Sequence, residues 1–200
     1  TTPGITAASA SVYPLLSGFT GVGTGNDFST ACTTYFNPDN PVDRVVGLNE
    51  VAPRFFETMK LPLVSGREFQ WADRPQRGSP IAAVVNEAFV KKFFPPGTNA
   101  LGEMFGINCA INPAQIVIIG IVRDSKALPR DAPGPVWYRL VGPTSHPLTL
   151  VVRTPGDPAK GAPAVRRRMA EFDSNVPLFG EVTPLALRDS PIKQERLLTT

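Results

Sequence analysis

The stretch that decides the fold is Gly47–Asp73, with the sequence GLNEVAPRFFETMKLPLVSGREFQWAD. An extended run ending near Val51 meets Pro53, whose missing N–H suits the first turn of a helix. We therefore predict a short helix whose apolar face consists of Phe55, Phe56 and Met59. Pro62 should end it before a turn at Ser65–Gly66. The stretch contains no pattern of a nucleophile, a metal cage or a phosphate loop, so we interpret it as scaffold.

The next unit along the chain is a strand followed by a helix. The continuous apolar run Ile81–Val85 predicts a strand that is buried on both faces. Asn86 suits a helix N-cap, and Glu87 suits the positive end of the helix dipole. The helix should end at Pro95–Gly97, and helical spacing predicts that its apolar side chains pack in the core rather than line a ligand pocket; these are Phe89, Val90, Phe93 and Phe94.

The remaining pattern is a mixture of short strands and helices. We predict strands within residues 1–13, 42–51, 104–108, 115–122, 135–140, 148–153 and 178–182. The strand at 148–153 should have one fully buried face. A helix should start at Asp157–Pro158, with Ala162, Val165, Met169 and Phe172 facing the core, and another should begin near Ser190. We interpret residues 14–41 as a long surface loop, because its glycines lack the Lys and the following helix of a phosphate loop.

Composition restricts the class of protein. The chain has 200 residues, a hydrophobic fraction of 42%, 22 Pro and 17 Gly, which favours many short elements and excludes a long helical bundle. Its net charge of +3 is too weak for a nucleic-acid footprint. The longest apolar run, Ile116–Val122, is far shorter than the ~20 residues that span a bilayer. Because the sequence lacks an initiator Met and both ends stop within structured patterns, we expect a piece of a longer protein.

The residues that could carry chemistry are few and scattered. Cys32 and Cys109 have no metal-ligand spacing, so we predict either one disulfide or two isolated thiols. The single histidine, His146, lies between prolines and has no nucleophile elbow to pair with. For Arg67 we favour a structural role, in which it ties its turn to a nearby carboxylate or to strand-end carbonyls, over a binding role. Arg166–Arg168 is interpreted as a solvated flank, with an anionic partner or lipid surface as the alternative. We predict no catalytic, metal or cofactor-binding residues and no cofactor.

The order of motifs resembles the periplasmic core domain of MacB-type ABC transporter permeases, the FtsX-like group. The first matching block comprises Asn49, Val51, Pro53, Phe55–Met59, Leu61–Leu63, Gly66, Arg67 and Phe69. The later blocks comprise Ile81–Ala88, Phe93–Pro95, Leu101–Gly102, Ile116–Val122, Asp124 and Gln194–Leu198. The chain departs from the family at Phe55, where Tyr is common, at Lys60, where Gly is common, and in the glycine-rich Gly18–Ser29. The resemblance implies that Pro53, Phe55, Phe56, Met59, Gly66 and Arg67 form a structural motif.

The resemblance also implies an architecture and a function. The fold would be α+β and two-lobed: residues 1–75 and 147–200 would form a membrane-proximal α+β lobe, and residues 76–146 an inserted, mostly β lobe. The domain would transmit ATP-driven conformational change outside the cytoplasmic membrane, for export of a substrate or action on a partner protein. Its partners would be the parent transmembrane helices and ATPase, a second permease copy, and a periplasmic membrane-fusion protein or outer-membrane channel. The alternatives are a module that holds a lipid, peptide or drug between its lobes, and a hydrolase that uses His146.

Overall fold

The computed structural model of the chain describes residues 4–13, 29–33, 45–107, 115–125, 133–145, 147–180 and 183. These residues form nine strands and three α-helices, an α+β mixture as expected. The strands are β1 (Ala7–Ser11), β2 (Ser29–Thr33), β3 (Val45–Val51), β4 (Leu63–Gly66), β5 (Ile81–Asn86), β6 (Met104–Ile107), β7 (Ile116–Val122), β8 (Val136–Leu140) and β9 (Thr149–Arg153). The helices are α1 (Phe55–Met59), α2 (Glu87–Phe93) and α3 (Ala162–Phe172).

All nine strands belong to one mixed sheet with the order β2-β6-β7-β5-β8-β3-β1-β9, and β4 pairs with β7 beside this path. The pairs β3–β8 and β5–β7 are parallel, and the remaining pairs are antiparallel. Because β2 pairs with β3 as well as with β6, the sheet curls into a closed ring of six strands. Closure leaves β9 as the end strand of the path, next to β1.

The core consists of two clusters on opposite faces of the sheet, since alternating residues of the same strands contribute to each. The first contains Phe89 of α2 packed with Val85, Phe105, Ile118 and Trp137, among others. The second contains Phe55 and Phe56 of α1 and Val136, Tyr138 and Leu140 of β8. Val51, Val84 and Val122 of neighbouring strands complete it. The prediction that α2 packs its apolar side chains in the core is therefore confirmed.

Several sequence predictions about elements are wrong. Within the expected loop 14–41, residues Ser29–Thr33 form β2, because pairing with two neighbouring strands outweighs a weak local signal. The expected turn at Ser65–Gly66 is the end of strand β4, which pairs with β7. The third helix begins at Ala162 rather than at Pro158, where a short 3₁₀ turn precedes it. Residues 178–180 are not in a strand. The helix expected near Ser190 lies outside the described residues.

The expected burial of β9 and α3 is also wrong. Leu150 is 41% exposed, and Leu148, just before the strand, is 49% exposed. On the same face of β9, Leu150 and Val152 pair with Ala10 and Ala8 of β1, whose small side chains cover little of them. No described side chain of α3 is buried, and Phe172 is 83% exposed. Helical periodicity predicted the apolar stripe of α3 correctly but could not show whether another element covers it.

Candidate functional site

The described residues show no assembled chemical centre. Among them, no group of three or more His, Cys, Asp and Glu is placed to hold a metal ion. His146 and Cys109 lie outside the described residues, while the backbone of Cys32 pairs with Gly106 in the β2–β6 ladder. The disulfide between Cys32 and Cys109 therefore stays a prediction. The described residues instead form a well-connected joint between α1, β4 and the sheet.

Helix α1 is fixed to the sheet by its two phenylalanines. Phe55 and Phe56 are 0% and 1% exposed, and Met59 packs at the edge of the same cluster. The ring of Phe56 makes an edge-on contact with Tyr138 of β8, with centroids 5.0 Å apart, and lies 6.3 Å from the ring of Phe69. Burial raises the pKa of Tyr138 to about 12. Aromatic burial of this size makes a five-residue helix stable despite its length.

Both ends of α1 have an unusual backbone. Arg54 before the helix and Lys60 after it have φ of 65° and 54°, the left-handed region. The helix starts two residues after Pro53. Glu68 follows β4, and its carboxylate accepts a 2.7 Å hydrogen bond from the Phe56 N–H. Burial raises the pKa of Glu68. The polypeptide beyond β4 thus returns to satisfy a backbone donor at the start of α1.

The contact between β4 and β7 requires two glycines. Gly66 has φ of 75°, and a Cβ there would lie 2.3 Å from the carbonyl oxygen of Ile119. A Cβ on Gly120 would lie 2.4 Å from the carbonyl oxygen of Arg67. Gly66 and Gly120 are paired in this ladder, just past an irregularity in its register between Leu63 and Ser65. The Arg67 N–H then donates a 3.0 Å hydrogen bond to the Ile119 carbonyl.

The Arg67 side chain closes the turn that follows. Its guanidinium binds both carboxylate oxygens of Asp73 at 2.7 Å, and Asp73 also accepts from the Gln70 N–H at 2.8 Å. The Arg67 hydrogen bond lowers the pKa of Asp73. The tie to a nearby carboxylate, one of the two structural roles predicted for Arg67, is therefore present.

A second joint lies at Asn86, between β5 and α2. The side-chain oxygen of Asn86 accepts from the Phe89 N–H at 3.0 Å, which confirms the predicted N-cap, and also from the Val136 N–H at 2.8 Å. Its amide donates to Asp124 and to the Gly134 carbonyl, each at 2.8 Å. Asn86 is 1% exposed, so these bonds are well shielded from water. One side chain thus ties the ends of β5 and β7 to the start of β8.

The strands through which the chain enters and leaves the sheet lie side by side. Ala7 at the start of β1 is paired with Arg153 at the end of β9, and the Thr6 N–H donates to the Arg153 carbonyl at 2.9 Å. The Arg153 side chain donates to the carbonyl of Thr58 in α1. The Ser9 hydroxyl lies 3.0 Å from the Pro53 carbonyl oxygen, to which it donates. The two strands and α1 therefore form one hydrogen-bonded corner.

Comparison with known proteins identifies the architecture. No protein-family model matches the sequence, and no curated protein matches it. Among solved structures, the periplasmic region of MacB from Actinobacillus actinomycetemcomitans matches with a TM-score of 0.55 and 14% identity, covering 99% of this chain and 78% of that one. The extracellular domain of the noncanonic ABC-type transporter YknZ from Gram-positive bacteria matches with a TM-score of 0.51 and 14% identity, covering 86% of this chain and 79% of that one.

The chain has the fold of a MacB-type periplasmic domain. The resemblance that the sequence predicted is thus confirmed at the level of the fold. No helix among the described residues is long and apolar enough to cross a membrane. The division of this MacB-type fold into two lobes at residues 75 and 146 stays a prediction.

One departure from the MacB-type pattern lies at a position with a left-handed backbone. Lys60, where the family commonly has Gly, has φ of 54°, a conformation that Gly adopts at little cost. Other contacts of the described residues gave weaker sequence signals. The carboxylate of Glu68, the Asn86–Asp124 bond and the ion pair of Glu50 with Arg139 each join residues that are distant in sequence. A single sequence read by periodicity identifies faces of elements but not such partners.

Proposed function

We propose that this chain is the extracytoplasmic domain of an ABC transporter permease and that it transmits ATP-driven conformational change across its sheet. In this proposal it serves export of a substrate or action on a partner protein. It has no catalytic role, and ATP is hydrolysed by a separate domain or subunit. Its direct partners are the parent transmembrane helices and a second permease copy, with a membrane-fusion protein or outer-membrane channel beyond them.

The observation that carries the proposal is the corner where β1 and β9 meet. Chain segments that emerge from the same end of the same sheet edge are suited to attachment at one surface. From this corner, hydrogen bonds reach α1, and the buried rings of α1 reach β8 near the centre of the sheet. Continuous backbone pairing and a close-packed core on both faces favour movement as one stiff body.

The test of force transmission uses the full-length parent permease. A flexible Gly-Ser segment inserted between Arg153 and Ala162 should uncouple transport from ATP hydrolysis, because movement would no longer pass from β9 into the following chain. The same segment inserted at the exposed turn of Gly97 is the matched control and should leave both activities intact. Transport that survives the first insertion at the unmodified rate would contradict the proposal.

The location is tested separately. A cysteine introduced by Ser79→Cys lies in an exposed connector, so a membrane-impermeant thiol reagent should label it in intact cells above the level of the unmodified protein. Labelling that requires lysis of the cytoplasmic membrane would place the domain on the other side and overturn the proposed function.

A further inference from the structure

The end of α3 and the residues after it expose apolar side chains that the fold does not bury. Phe172 is 83% exposed, and Val176, Leu178 and Phe179 are 44%, 42% and 86% exposed. Exposed phenylalanines of this kind cost free energy in water. Single exposed apolar residues are ordinary on protein surfaces, but four within eight residues of sequence make this short segment a candidate contact surface.

The helix that leads to this segment is basic and amphipathic. Ala162, Val165 and Met169 are partly buried and share one stripe with Phe172 at spacings of three and four residues. At 3.6 residues per turn, Arg166 and Arg168 lie on the two borders of that stripe, while Arg167 and Glu171 lie opposite it. Glu171 pairs with Arg168 at 2.9 Å and with Arg167 at 3.9 Å.

The charge of this region selects the kind of partner. Residues 160–180 contain Lys160 and three arginines against Glu171 and Asp173, a formal net charge of +2 out of +3 for the whole chain. The arginine side chains that pair with Glu171 are still 67% and 69% exposed, so they remain accessible to a second anion. Long cationic side chains beside an apolar stripe can reach phosphate groups while the stripe contacts acyl chains.

We propose that Arg166–Phe179 is a docking surface for an anionic phospholipid bilayer. In this arrangement Phe172 and Phe179 enter the boundary between headgroups and acyl chains, and Arg166 and Arg168 contact lipid phosphates. The proposal does not depend on the proposed transport function, because it concerns the affinity of the chain itself for a lipid surface. It takes up the lipid surface that the sequence left as the alternative to a solvated flank for the three arginines.

The experiment is flotation of the 200-residue chain with vesicles of phosphatidylcholine alone and of phosphatidylcholine mixed with phosphatidylglycerol. The chain should float with the mixed vesicles, weaken its binding as salt rises, and bind neutral vesicles poorly. Each cationic side chain near such a surface contributes about fivefold to partitioning, so Arg166→Gln/Arg168→Gln should weaken binding about 30-fold. Lys91→Gln/Lys92→Gln removes the same charge from α2 and should change binding only slightly.

The contribution of the exposed phenylalanines to vesicle binding is tested by a second set of variants. Phe172→Ser/Phe179→Ser should abolish flotation, whereas Phe172→Leu/Phe179→Leu should retain most of it and Trp71→Ser should leave it unchanged. All these side chains are exposed, and thermal unfolding checks that each variant folds. Equal weakening by the lysine and arginine pairs, binding that survives loss of both phenylalanines, or no binding to either vesicle overturns the proposal. Dimerisation without vesicle binding, abolished by the Ser variants, would assign the surface to a second copy instead.

Discussion

Gly66 illustrates how narrowly single residues define this fold. Its positive φ excludes most side chains, and the carbonyl of Ile119 excludes even a methyl group. Arg67, Glu68 and Phe69 then contact three different parts of the molecule: the turn at Asp73, the start of α1 and the ring of Phe56. Four consecutive residues thus determine where β4 lies relative to α1 and β7.

Replacing Gly66 with Ala should destabilise the protein strongly. The methyl group meets backbone atoms that cannot move without breaking the β4–β7 pairing, so we expect a loss of at least ~3 kcal/mol in unfolding free energy. Gly97→Ala is the matched control, since Gly97 also has positive φ but open space around its Cβ position, and it should cost about 1 kcal/mol. Urea denaturation measures both values; equal losses would show that the backbone angle alone matters at Gly66.

Lys60→Gly should stabilise the protein by about 1 kcal/mol, because it relieves a left-handed backbone angle at the end of α1. The same change at Lys91, in the exposed interior of α2, should have the opposite sign and cost about 1 kcal/mol. Thermal or urea unfolding of the two variants gives the comparison. A Lys60→Gly variant that is less stable than the parent would be inconsistent with the left-handed conformation.

The Arg67–Asp73 pair should make stability depend on pH. Because the pKa of Asp73 is below its ordinary 3.8, its stabilisation is present above that pH and is lost as pH falls through the folded-state pKa. Asp73→Asn should therefore cost about 1 kcal/mol at neutral pH, a modest value because Arg67 is half exposed, and less in acid.

Glu68→Gln provides a control of opposite sign for the pH measurement. Because the pKa of Glu68 is raised above its ordinary 4.5, the folded protein gains stability from this group as pH falls through the folded-state pKa. The parent should thus improve relative to Glu68→Gln in acid while its advantage over Asp73→Asn shrinks. Parallel pH profiles for the two variants would contradict the assignment of these carboxylates.

At the scale of elements, those that depend on local sequence signals could be predicted, and those that depend on long-range pairing could not. The strand-to-helix unit of β5 and α2 could be predicted almost completely, because Asn86 caps its own helix and the apolar spacing is local. Strand β2 could not, since its small polar residues gain their strand structure from β3 and β6. The exposure of α3 and β9 depends on which elements lie beside them, which periodicity does not encode.

The core role of α1 is tested by truncating its central ring. Phe56→Ala should cost ~3 to 5 kcal/mol, because it removes a fully buried ring that contacts Tyr138 and Phe69. Phe172→Ala is the same substitution at an exposed position of α3 and should change stability by no more than ~0.5 kcal/mol. Chemical denaturation of both variants provides the measurement, and parent-like stability of Phe56→Ala would show that α1 is not packed as described.

At the scale of the whole molecule, the resemblance contributed more than periodicity did. The α+β class and the MacB-type fold follow from the order of motifs, and two structural neighbours agree with them. The closed ring of six strands could not be predicted, because it depends on the two-sided pairing of β2. The long-range partners of Gly66 and Asn86 could not be predicted either, because both joints connect segments that are distant in sequence.

The predicted disulfide between Cys32 and Cys109 can be tested on the whole chain. We predict that protein from an oxidising compartment has a mass two hydrogens lower than after reduction, and that reduction lowers its melting temperature. Cys32→Ser should abolish the mass difference, and its melting temperature should be insensitive to reductant. A native mass equal to the reduced mass would leave the two cysteines as isolated thiols.

The antiparallel pairing of β1 with β9 also determines how the corner responds to load. A force along the two strands in opposite directions shears all their hydrogen bonds together, which resists strongly. A sideways force that parts their outer ends instead loads the bond from Thr6 to Arg153 first and the others in turn, as a zipper opens. Lateral separation of the two chain segments is therefore the movement to which this sheet edge yields most easily.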